Sequence, residues 1–262
     1  MGRVLAVANQ KGGVGKTTTV VNLGACLAQA GRKTLAVDMD PQGNATSGLG
    51  LDKNSLPISI YDLILGQCRL EEAIFETCVE GFDIIPSNAD LAGTEAVLFG
   101  TPGKEYILQG IIEAVKKRYE YILIDCPPSL NVLTVNALVA ADALLIPIQC
   151  EYYALEGLSQ LLETIGTIRN RLNNKLEIDG VVFTMYDART NLAAQVVEDV
   201  KRNMEKVYRT VIPRNVRLSE APSHGLPITL YDEKSRGAES YVALAYEIMA
   251  KAREEKPNGS HS

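Results

Sequence analysis

The sequence predicts an α/β protein with a mostly parallel, twisted sheet and helices on both faces of that sheet. Short apolar runs suited to buried parallel strands recur along the chain, and amphipathic stretches separate most of them. Such alternation is typical of parallel sheets, because the chain must cross back over the sheet before the next strand can pair. The expected strands are Val4–Ala8, Thr34–Val37, Phe82–Ile85, Tyr121–Ile124, Ala143–Ile148 and Gly180–Met185.

The expected helices carry apolar residues at helical spacing. They are Thr17–Ala30, Lys104–Arg118, Leu155–Leu172 and Leu192–Val207. The first of them ends at Gly31, a common residue type at helix C-termini. Residues 43–80 are expected to form loops and short helices. Because no linker rich in Pro, Gly or Ser interrupts the pattern, we predict one domain over residues 1–253 and a polar, disordered tail over residues 254–262.

Composition favours a protein of the reducing cytoplasm. The chain has 262 residues, of which 46% are apolar, and this is enough for a sizeable core. Its five cysteines are odd in number and widely spaced, which argues against a disulfide framework and against a metal cluster. The first apolar run is too short for a signal peptide or a membrane span.

The charge of the chain is unevenly distributed. A net charge of −6 by itself argues against nucleic-acid binding. Between Lys201 and Arg217, however, lie six basic residues and one acidic residue. From the residues alone, a solvated basic face is the more common role of such a run, and a nucleic-acid surface is the alternative.

A phosphate-binding loop follows the first expected strand. Residues 9–18 read Asn-Gln-Lys-Gly-Gly-Val-Gly-Lys-Thr-Thr. Glycines let backbone N–H groups point at a phosphate, and the following helix adds the positive end of its dipole. In the usual G-x-x-x-x-G-K-[ST] pattern the first glycine would stand at Gln10, so this loop departs from the pattern and carries an extra lysine. The residues expected to bind the nucleotide are Lys11, Gly12, Gly13, Val14, Gly15, Lys16, Thr17 and Thr18.

Acidic residues at the ends of two expected strands predict a Mg²⁺ site. The second strand runs into Asp38-Met-Asp40, and an apolar strand of Walker B form ends at Asp125. We expect Thr17 to bind Mg²⁺ directly, and Asp40 and Asp125 to bind it through water. Asp40 is also the candidate for positioning an attacking water, whereas Asp38 fits the role of a turn cap. Cys126 is assigned to packing, because no histidine neighbours it in the sequence.

These three segments resemble the deviant Walker A family of ATPases, whose extra lysine reaches the partner's phosphates across a nucleotide-sandwich dimer. Longer stretches are similar to the ParA family of chromosome-partitioning ATPases in its short Soj form: residues 38–50, 125–138, 147–161, 184–196 and 211–228. The resemblance implies ATP and Mg²⁺ as cofactors and slow ATP hydrolysis. It implies Lys11, Lys16 and Asp40 as catalytic residues, with Lys11 acting where negative charge develops, as an arginine finger does.

The same resemblance implies a nucleotide-gated switch. ATP would hold two subunits together as a homodimer, and the dimer would bind double-stranded DNA without sequence preference. A ParB-type centromere-binding protein would stimulate hydrolysis and so release the dimer. This cycle would partition chromosome or plasmid DNA and would place the protein in the cytoplasm, on the nucleoid, with no membrane binding.

The resemblance also assigns the contacts to adenine. The loop Val211–Arg217 would follow the last strand and line the base pocket, with Pro213 and Asn215 touching the ring. From the residues alone, a simple turn fits this segment equally well.

Four basic residues are the expected DNA contacts. Arg189 and Arg217 are the principal ones, with Lys201 and Arg202 in support. No base-reading motif is visible in the sequence, so these contacts would be to phosphates. Binding would then be non-specific and would weaken steeply with salt.

Other functions fit the sequence less well. A MinD-like division-site ATPase would need a basic amphipathic C-terminal helix, whereas this chain ends in a polar stretch with Pro257. A cluster carrier like the nitrogenase iron protein would need cysteines in a cluster motif, and Cys126 and Cys150 stand in none. Tyr241 and Tyr246 lie at helical spacing rather than in the tyrosine cluster of a kinase relative. The acids and lysines described above disfavour a binding module without hydrolysis.

Overall fold

The apolar runs of the sequence become the strands of one sheet. The computed structural model describes residues 2–151 and 154–254. Within these residues the strands are β1 (Arg3–Val7), β2 (Thr34–Asp38), β3 (Phe75–Glu76), β4 (Phe82–Ile85), β5 (Tyr121–Asp125), β6 (Ala143–Gln149), β7 (Glu177–Tyr186) and β8 (Val207–Pro213). They form an eight-stranded sheet in the order β3-β4-β2-β5-β1-β6-β7-β8. All neighbouring strands pair in parallel except β3 and β4, which are antiparallel.

Helices connect these strands. In the described part of the chain the α-helices are α1 (Lys16–Gln29), α2 (Asn44–Gly48), α3 (Ile60–Ile64), α4 (Thr94–Val97), α5 (Ile107–Val115), α6 (Val132–Ala140), α7 (Ala154–Arg171), α8 (Asn191–Asn203), α9 (Val216–Glu220), α10 (Ile228–Tyr231) and α11 (Arg236–Glu254). Short 3₁₀ turns cover Leu70–Ala73, Ala89–Gly93, Lys104–Tyr106 and Ala221–His224. The predicted α/β fold with a mostly parallel sheet is therefore confirmed.

The alternation of residues along β1 explains why helices cover both faces of the sheet. Val4, Ala6 and Ala8 pack into one hydrophobic cluster, to which α5, α6 and α7 contribute. Leu5 and Val7 point to the opposite face and pack into a second cluster, to which α1 and α11 contribute. Side chains of successive strand residues point to opposite faces, so a strand that is apolar throughout supplies both clusters.

The structure corrects the prediction most clearly after residue 203. The helix expected over Leu192–Val207 ends at Asn203, and Val207 begins the edge strand β8. The spacing of the apolar residues here fits a helix or a strand, and pairing with β7 selects the strand. These residues are Val207, Tyr208, Val211 and Ile212. The helix expected from Lys104 begins with a 3₁₀ turn. Strand β3 was also not predicted, because a strand of two residues is too short to show a pattern of alternating apolar residues.

The end of the described chain is helical. Helix α11 continues through Glu254, which the sequence had placed in the tail, and residues 255–262 of that predicted tail lie outside the described residues. None of the helices in residues 2–151 and 154–254 combines the length and the apolar character that a membrane span requires.

One edge of the sheet is covered by a side chain, and the other edge is very short. At one edge, the Glu247 carboxylate of α11 accepts hydrogen bonds from the backbone N–H of Arg209 at 2.7 Å and of Thr210 at 3.0 Å, so α11 takes up donors of the edge strand β8. At the other edge, the two-residue strand β3 pairs with β4.

Gly24 marks a close approach of α1 to the sheet. A Cβ atom at this position would lie 2.2 Å from the Phe82 ring of β4. Gly24→Ala is therefore expected to lower the free energy of unfolding by about 1–3 kcal/mol through overpacking. This loss outweighs the gain of about 1 kcal/mol that alanine brings to a helix interior. Urea unfolding followed by circular dichroism measures the difference.

Gly110→Ala is the matched control, since Gly110 lies in α5 and a Cβ there meets no atom within 4 Å. This variant should be more stable than wild type by up to about 1 kcal/mol. Equal stabilities for the two variants would show that the α1–β4 contact is looser than described.

Candidate functional site

The loop between β1 and α1 has the backbone of a phosphate cradle. Gly13 has φ 76° and Gly15 has φ 84°, in the left-handed region that favours glycine. Gly15 is the N-cap of α1, and no side chain caps that helix end, so its first N–H groups point toward the loop. Gly12 has no positive φ and faces open space, so its backbone is accessible to a ligand.

Neighbouring strands hold this loop in place. Asn9 donates its side-chain amide to the carbonyl of Pro147 in β6 at 2.8 Å and accepts from the backbone N–H of Lys11 at 3.0 Å. Thr184 of β7 donates its hydroxyl to the carbonyl of Val14 at 2.8 Å. Sequence analysis missed both Asn9 and Thr184, because their contacts span large separations along the chain.

Lys16 lies inside the loop. Its ammonium donates to the carbonyl of Lys11 at 3.0 Å, and the residue is buried. Burial lowers the pKa of Lys16, while the nearby Asp125, Cys126 and Asp40 act in the opposite direction. An ammonium held in a cradle of backbone donors is placed to meet a phosphate.

Lys11 points away from the loop that contains it. Its ammonium forms an ion pair with Glu151, at the end of β6. The side chains of Lys11 and Glu151 are 39% and 47% exposed. The two lysines of the loop are therefore separated: Lys16 faces the cradle and Lys11 faces outward. Glu151 was not singled out from the sequence, since nothing local marks it.

Asp125 is a carboxylate buried at the carboxyl edge of the sheet. It ends β5 and has no exposed surface, and neither of its oxygens has a hydrogen-bond partner of standard geometry within the described residues. Burial raises the pKa of Asp125 well above its ordinary value, and the neighbouring charge of Asp38 adds to this effect. The nearby Thr17 hydroxyl and Lys16 act in the opposite direction. A buried oxygen donor of this kind, close to Thr17, fits Mg²⁺, which prefers oxygen ligands and retains water.

Asp38 uses both of its oxygens within the protein. Oδ1 accepts from the backbone N–H of Asp40 at 3.1 Å, and Oδ2 accepts from the N–H and the hydroxyl of Thr46 at 2.9 and 2.7 Å. Burial raises the pKa of Asp38 to about 6, although these hydrogen bonds lower it. Asp38 thus caps the turn, one of the roles that the sequence allowed.

Asp40 stands on the loop that Asp38 caps. One carboxylate oxygen of Asp40 accepts from the N–H of Gln42 at 2.9 Å, and the residue is largely buried. Lys16, Asp40 and Asp125 are near enough for their charges to affect one another. The structure therefore brings together the predicted phosphate and Mg²⁺ residues at the carboxyl edge of the sheet, where open α/β sheets bind ligands.

A cavity of about 260 Å³ adjoins this edge. Pro213 and Asn215 line it together with Gly15 and Thr18 of the phosphate loop. The segment differs from the predicted loop, because Val211 to Pro213 belong to β8 rather than following the last strand. The Asn215 side chain accepts from the N–H of Arg217 at 2.8 Å and caps α9. The cavity lies where a base attached to phosphates in the loop would reach.

The four predicted DNA-contact residues do not form one patch. Arg189 follows β7 and Arg217 lies in α9 after β8, so both are at the carboxyl edge. Lys201 and Arg202 lie in the last turn of α8, a helix of 13 residues and about 20 Å that returns to the opposite edge.

Both arginines at the carboxyl edge have acidic neighbours. Arg189 pairs with Asp187 at 2.6 Å, and its side chain is 87% exposed. Arg217 pairs with Glu220 at 2.9 Å. A phosphate group would have to compete with these carboxylates for the two guanidinium groups.

Cys26, Cys126 and Cys150 do not offer a reactive thiolate. Cys126 is fully buried in the core, and burial raises the pKa of its thiol. Burial also raises the pKa of Cys26 to about 12 and that of Cys150 to about 11. The described residues contain no group of three or more His, Cys, Asp or Glu side chains placed to hold a metal ion. The packing role predicted for Cys126 agrees with this arrangement.

Replacing Asp125 by asparagine tests its charge. The pKa of Asp125 is higher in the folded protein than in the unfolded chain, so folding favours the protonated carboxyl. The carboxyl therefore contributes its full stability below the unfolded-state pKa. That contribution is lost as pH rises through the folded-state pKa. Asp125→Asn should therefore raise the free energy of unfolding of the nucleotide-free protein near neutral pH, by about 1–3 kcal/mol. The gain should vanish in acid, and the extra stability that Mg²⁺ adds to ADP-bound protein should be lost.

Thermal unfolding across a pH series, with and without Mg²⁺ and ADP, measures these effects. Asp90→Asn, at an exposed carboxylate, should change stability by no more than about 0.5 kcal/mol at any pH. A destabilised Asp125→Asn protein that still responds to Mg²⁺ would contradict the assignment.

A solved structure supports the nucleotide and metal prediction. It is a Mycobacterium smegmatis protein described as cobyrinic acid a,c-diamide synthase with bound ADP and magnesium, 40% identical to this chain with a TM-score of 0.87. The match covers 98% of this chain and 97% of that protein. ATP and Mg²⁺ as ligands of this fold are thereby confirmed.

Sequence relatives identify the family. A family model described as an AAA domain matches residues 2–178. The sporulation initiation inhibitor protein Soj of Bacillus subtilis is 58% identical over 251 residues, which cover 95% of this chain and 99% of Soj. The chromosome partitioning protein ParA of Caulobacter vibrioides is 52% identical, and the match covers 96% of each chain. The chain belongs to the ParA/Soj family of chromosome-partitioning ATPases.

Proposed function

We propose that the chain is an ATP-gated switch that dimerises with ATP, binds double-stranded DNA without sequence preference, and hydrolyses ATP when a ParB-type partner stimulates it. Release and rebinding of the dimer would then move chromosome or plasmid DNA. The orientation of Lys11 carries this proposal. Its ammonium is turned away from its own cradle and toward the surface, where it can reach phosphates held by a second subunit.

The residues of the site divide the chemistry of ATP hydrolysis between them. The loop N–H groups and Lys16 hold the phosphates, and Asp40 positions the water that attacks the γ-phosphorus while the bond to the β-phosphate oxygen breaks. Thr17 would hold Mg²⁺ directly, and Asp125 and Asp40 through water; the ion would supply positive charge against the phosphates. Lys11 of the second subunit adds a further cation where negative charge develops.

Closure of two subunits over ATP would take Lys11 from Glu151. The pair is partly exposed, so it opposes closure by a modest amount, about 0.2–1 kcal/mol for pairs of this kind. As the dimer forms, Lys11 therefore exchanges the Glu151 carboxylate for the phosphates held by the second subunit.

The DNA surface follows from the placement of the basic residues. Arg189 and Arg217 lie at the carboxyl edge, beside the nucleotide site, so dimerisation over ATP can bring copies of them together. Lys201 and Arg202 lie at the far end of α8 and contribute more weakly in this proposal. The Arg189 and Arg217 side chains of two subunits would contact only the phosphates of the DNA backbone, and such binding weakens with salt.

DNA binding with each nucleotide tests the switch. Wild type with ATP should bind a duplex of arbitrary sequence, whereas ADP and nucleotide-free samples should not, and Asp40→Ala should stay bound longer with ATP because it hydrolyses more slowly. Arg189→Ala and Arg217→Ala should weaken binding equally across sequences, and each should lower the salt slope by about 1 for every phosphate that its arginine binds in wild type. Fluorescence anisotropy over a salt series measures both quantities.

Arg171→Ala is the control for the two arginine variants, since Arg171 is an exposed arginine at the end of α7 and away from the site. Its binding should equal that of wild type. If ATP-bound protein binds anionic lipid vesicles and no DNA, the MinD-like membrane ATPase replaces this proposal.

Glu151→Gln tests the resting position of Lys11. Removing the carboxylate frees the ammonium in both subunits, so two pairs no longer oppose closure. The ATP-dependent dimer should then form with a dissociation constant about 2- to 30-fold lower. Analytical ultracentrifugation of a hydrolysis-slowed Asp40→Ala background measures this constant.

Glu120→Gln breaks an equivalent pair with Arg32, at 2.9 Å and with side chains 50% and 34% exposed, at the opposite edge of the sheet. This control should leave dimerisation unchanged. A weaker dimer in Glu151→Gln would mean that Glu151 supports the closed form instead.

A further inference from the structure

The loop that carries Asp40 is held by a buried series of hydrogen bonds. The hydroxyl of Thr46 donates to Asp38 Oδ2 at 2.7 Å and accepts from the backbone N–H of Ser87 at 2.9 Å. The hydroxyl of Ser87 in turn donates to the backbone carbonyl of Asp40 at 2.8 Å. Asp38, Thr46 and Ser87 are all fully buried. Two strand ends and one loop are thereby joined through two hydroxyl groups.

The sheet brings these residues together. Asp38 ends β2, and Ser87 stands two residues beyond the end of β4, the parallel neighbour of β2. The Asp40 carbonyl also accepts from the N–H of Gly43 at 2.9 Å, which closes the turn. Gly43 has φ 58°, and a Cβ there would lie 2.8 Å from the carbonyl oxygen of Ser87. The loop therefore packs directly against the backbone of Ser87 and has little room to shift.

We propose that Ser87 and Thr46 are positioning residues for ATP hydrolysis, which hold the Asp40 loop in the geometry that the attacking water requires. This inference rests on the proposed function, because Asp40 receives its role there. Neither side chain lines the cavity beside the phosphate loop, and both act through the backbone that carries Asp40. Buried hydrogen bonds in a low-dielectric setting restrain such a loop more strongly than exposed ones.

The first variant, Ser87→Ala, removes the hydrogen bond from the Ser87 hydroxyl to the Asp40 carbonyl and leaves the other bonds of the series in place. In Ser87→Ala the Asp40 carbonyl keeps its bond from Gly43, and the Ser87 backbone N–H remains. The single-turnover rate constant of ATP hydrolysis should fall by about 10- to 100-fold, as for a misplacement of about 1 Å. Because the phosphate cradle is untouched, the dissociation constant for ATP should stay within about twofold of wild type.

Ser235→Ala is the matched control. The Ser235 hydroxyl is buried and also donates to a backbone carbonyl at 2.8 Å, that of Asp232. Both variants lose a hydroxyl-to-carbonyl bond, and Ser235→Ala also loses the bond that this hydroxyl accepts from the N–H of Ala238 at 3.2 Å. Ser235→Ala is thus at least as disruptive to the fold, and only Ser87→Ala should hydrolyse ATP more slowly. An equal loss of rate in the two variants would mean that the lower rate reflects a general loss of stability, and this result would overturn the proposal.

A double variant asks whether Ser87 acts through Asp40. In an Asp40→Ala background, Ser87→Ala should cause no further loss of rate, since residues that act as a unit are not additive. A further loss as large as that in wild type would overturn the proposal. If Asp40→Ala alone hydrolyses ATP at the wild-type rate, then the proposed role of Asp40 is what fails.

Thr46 supplies a second, independent pair of variants. Thr46→Ser keeps the hydroxyl and should keep the hydrolysis rate, whereas Thr46→Val keeps the branched shape and should lose rate as Ser87→Ala does. This pair also decides the matter if Ser87→Ala does not fold. Equal rates in Thr46→Ser and Thr46→Val would overturn the proposal.

Discussion

Two carboxylates buried side by side, Asp38 and Asp125, determine the electrostatics at the carboxyl edge of the sheet. They end neighbouring parallel strands in register, so the topology forces them together. The two carboxylates have different surroundings. Asp38 accepts hydrogen bonds from donors of its own loop, whereas Asp125 has no hydrogen-bond partner of standard geometry among the described residues. One acid therefore organises the loop of Asp40, while the other keeps oxygens that could meet the proposed Mg²⁺.

The lysines of the phosphate loop show a similar division. Five residues apart in sequence, they point in different directions, because Lys16 begins a helix that directs it into the cradle and Lys11 lies before the glycines and reaches Glu151. In the proposed function the inward lysine would serve the nucleotide of its own subunit. The outward one is held by a partly exposed carboxylate, an arrangement that a second subunit can displace at small cost in free energy.

Sequence reasoning located six of the eight strands and the glycine-rich loop after β1, because both are encoded locally by apolar runs and glycine spacing. Asp125 could be placed beside Asp40 from the rule that parallel strands end at one edge. The contacts of Thr184, Glu151 and Ser87 could not be predicted, since each joins segments far apart in the chain. The end of α8 was misplaced because Val207 and Tyr208 fit helical and strand spacing alike, and pairing with β7 decides between them.

The Glu247 contact at the edge strand has a consequence for how copies of this protein can assemble. Open strand edges invite another chain to add a strand, and a protein that gathers at high local density on a polymer would be especially exposed to such addition. Here the carboxylate of Glu247 occupies two backbone donors of β8, and the two-residue strand β3 leaves little to extend at the other edge. Growth by strand addition is therefore hindered at both edges, and the proposed dimerisation through the nucleotide face needs neither of them.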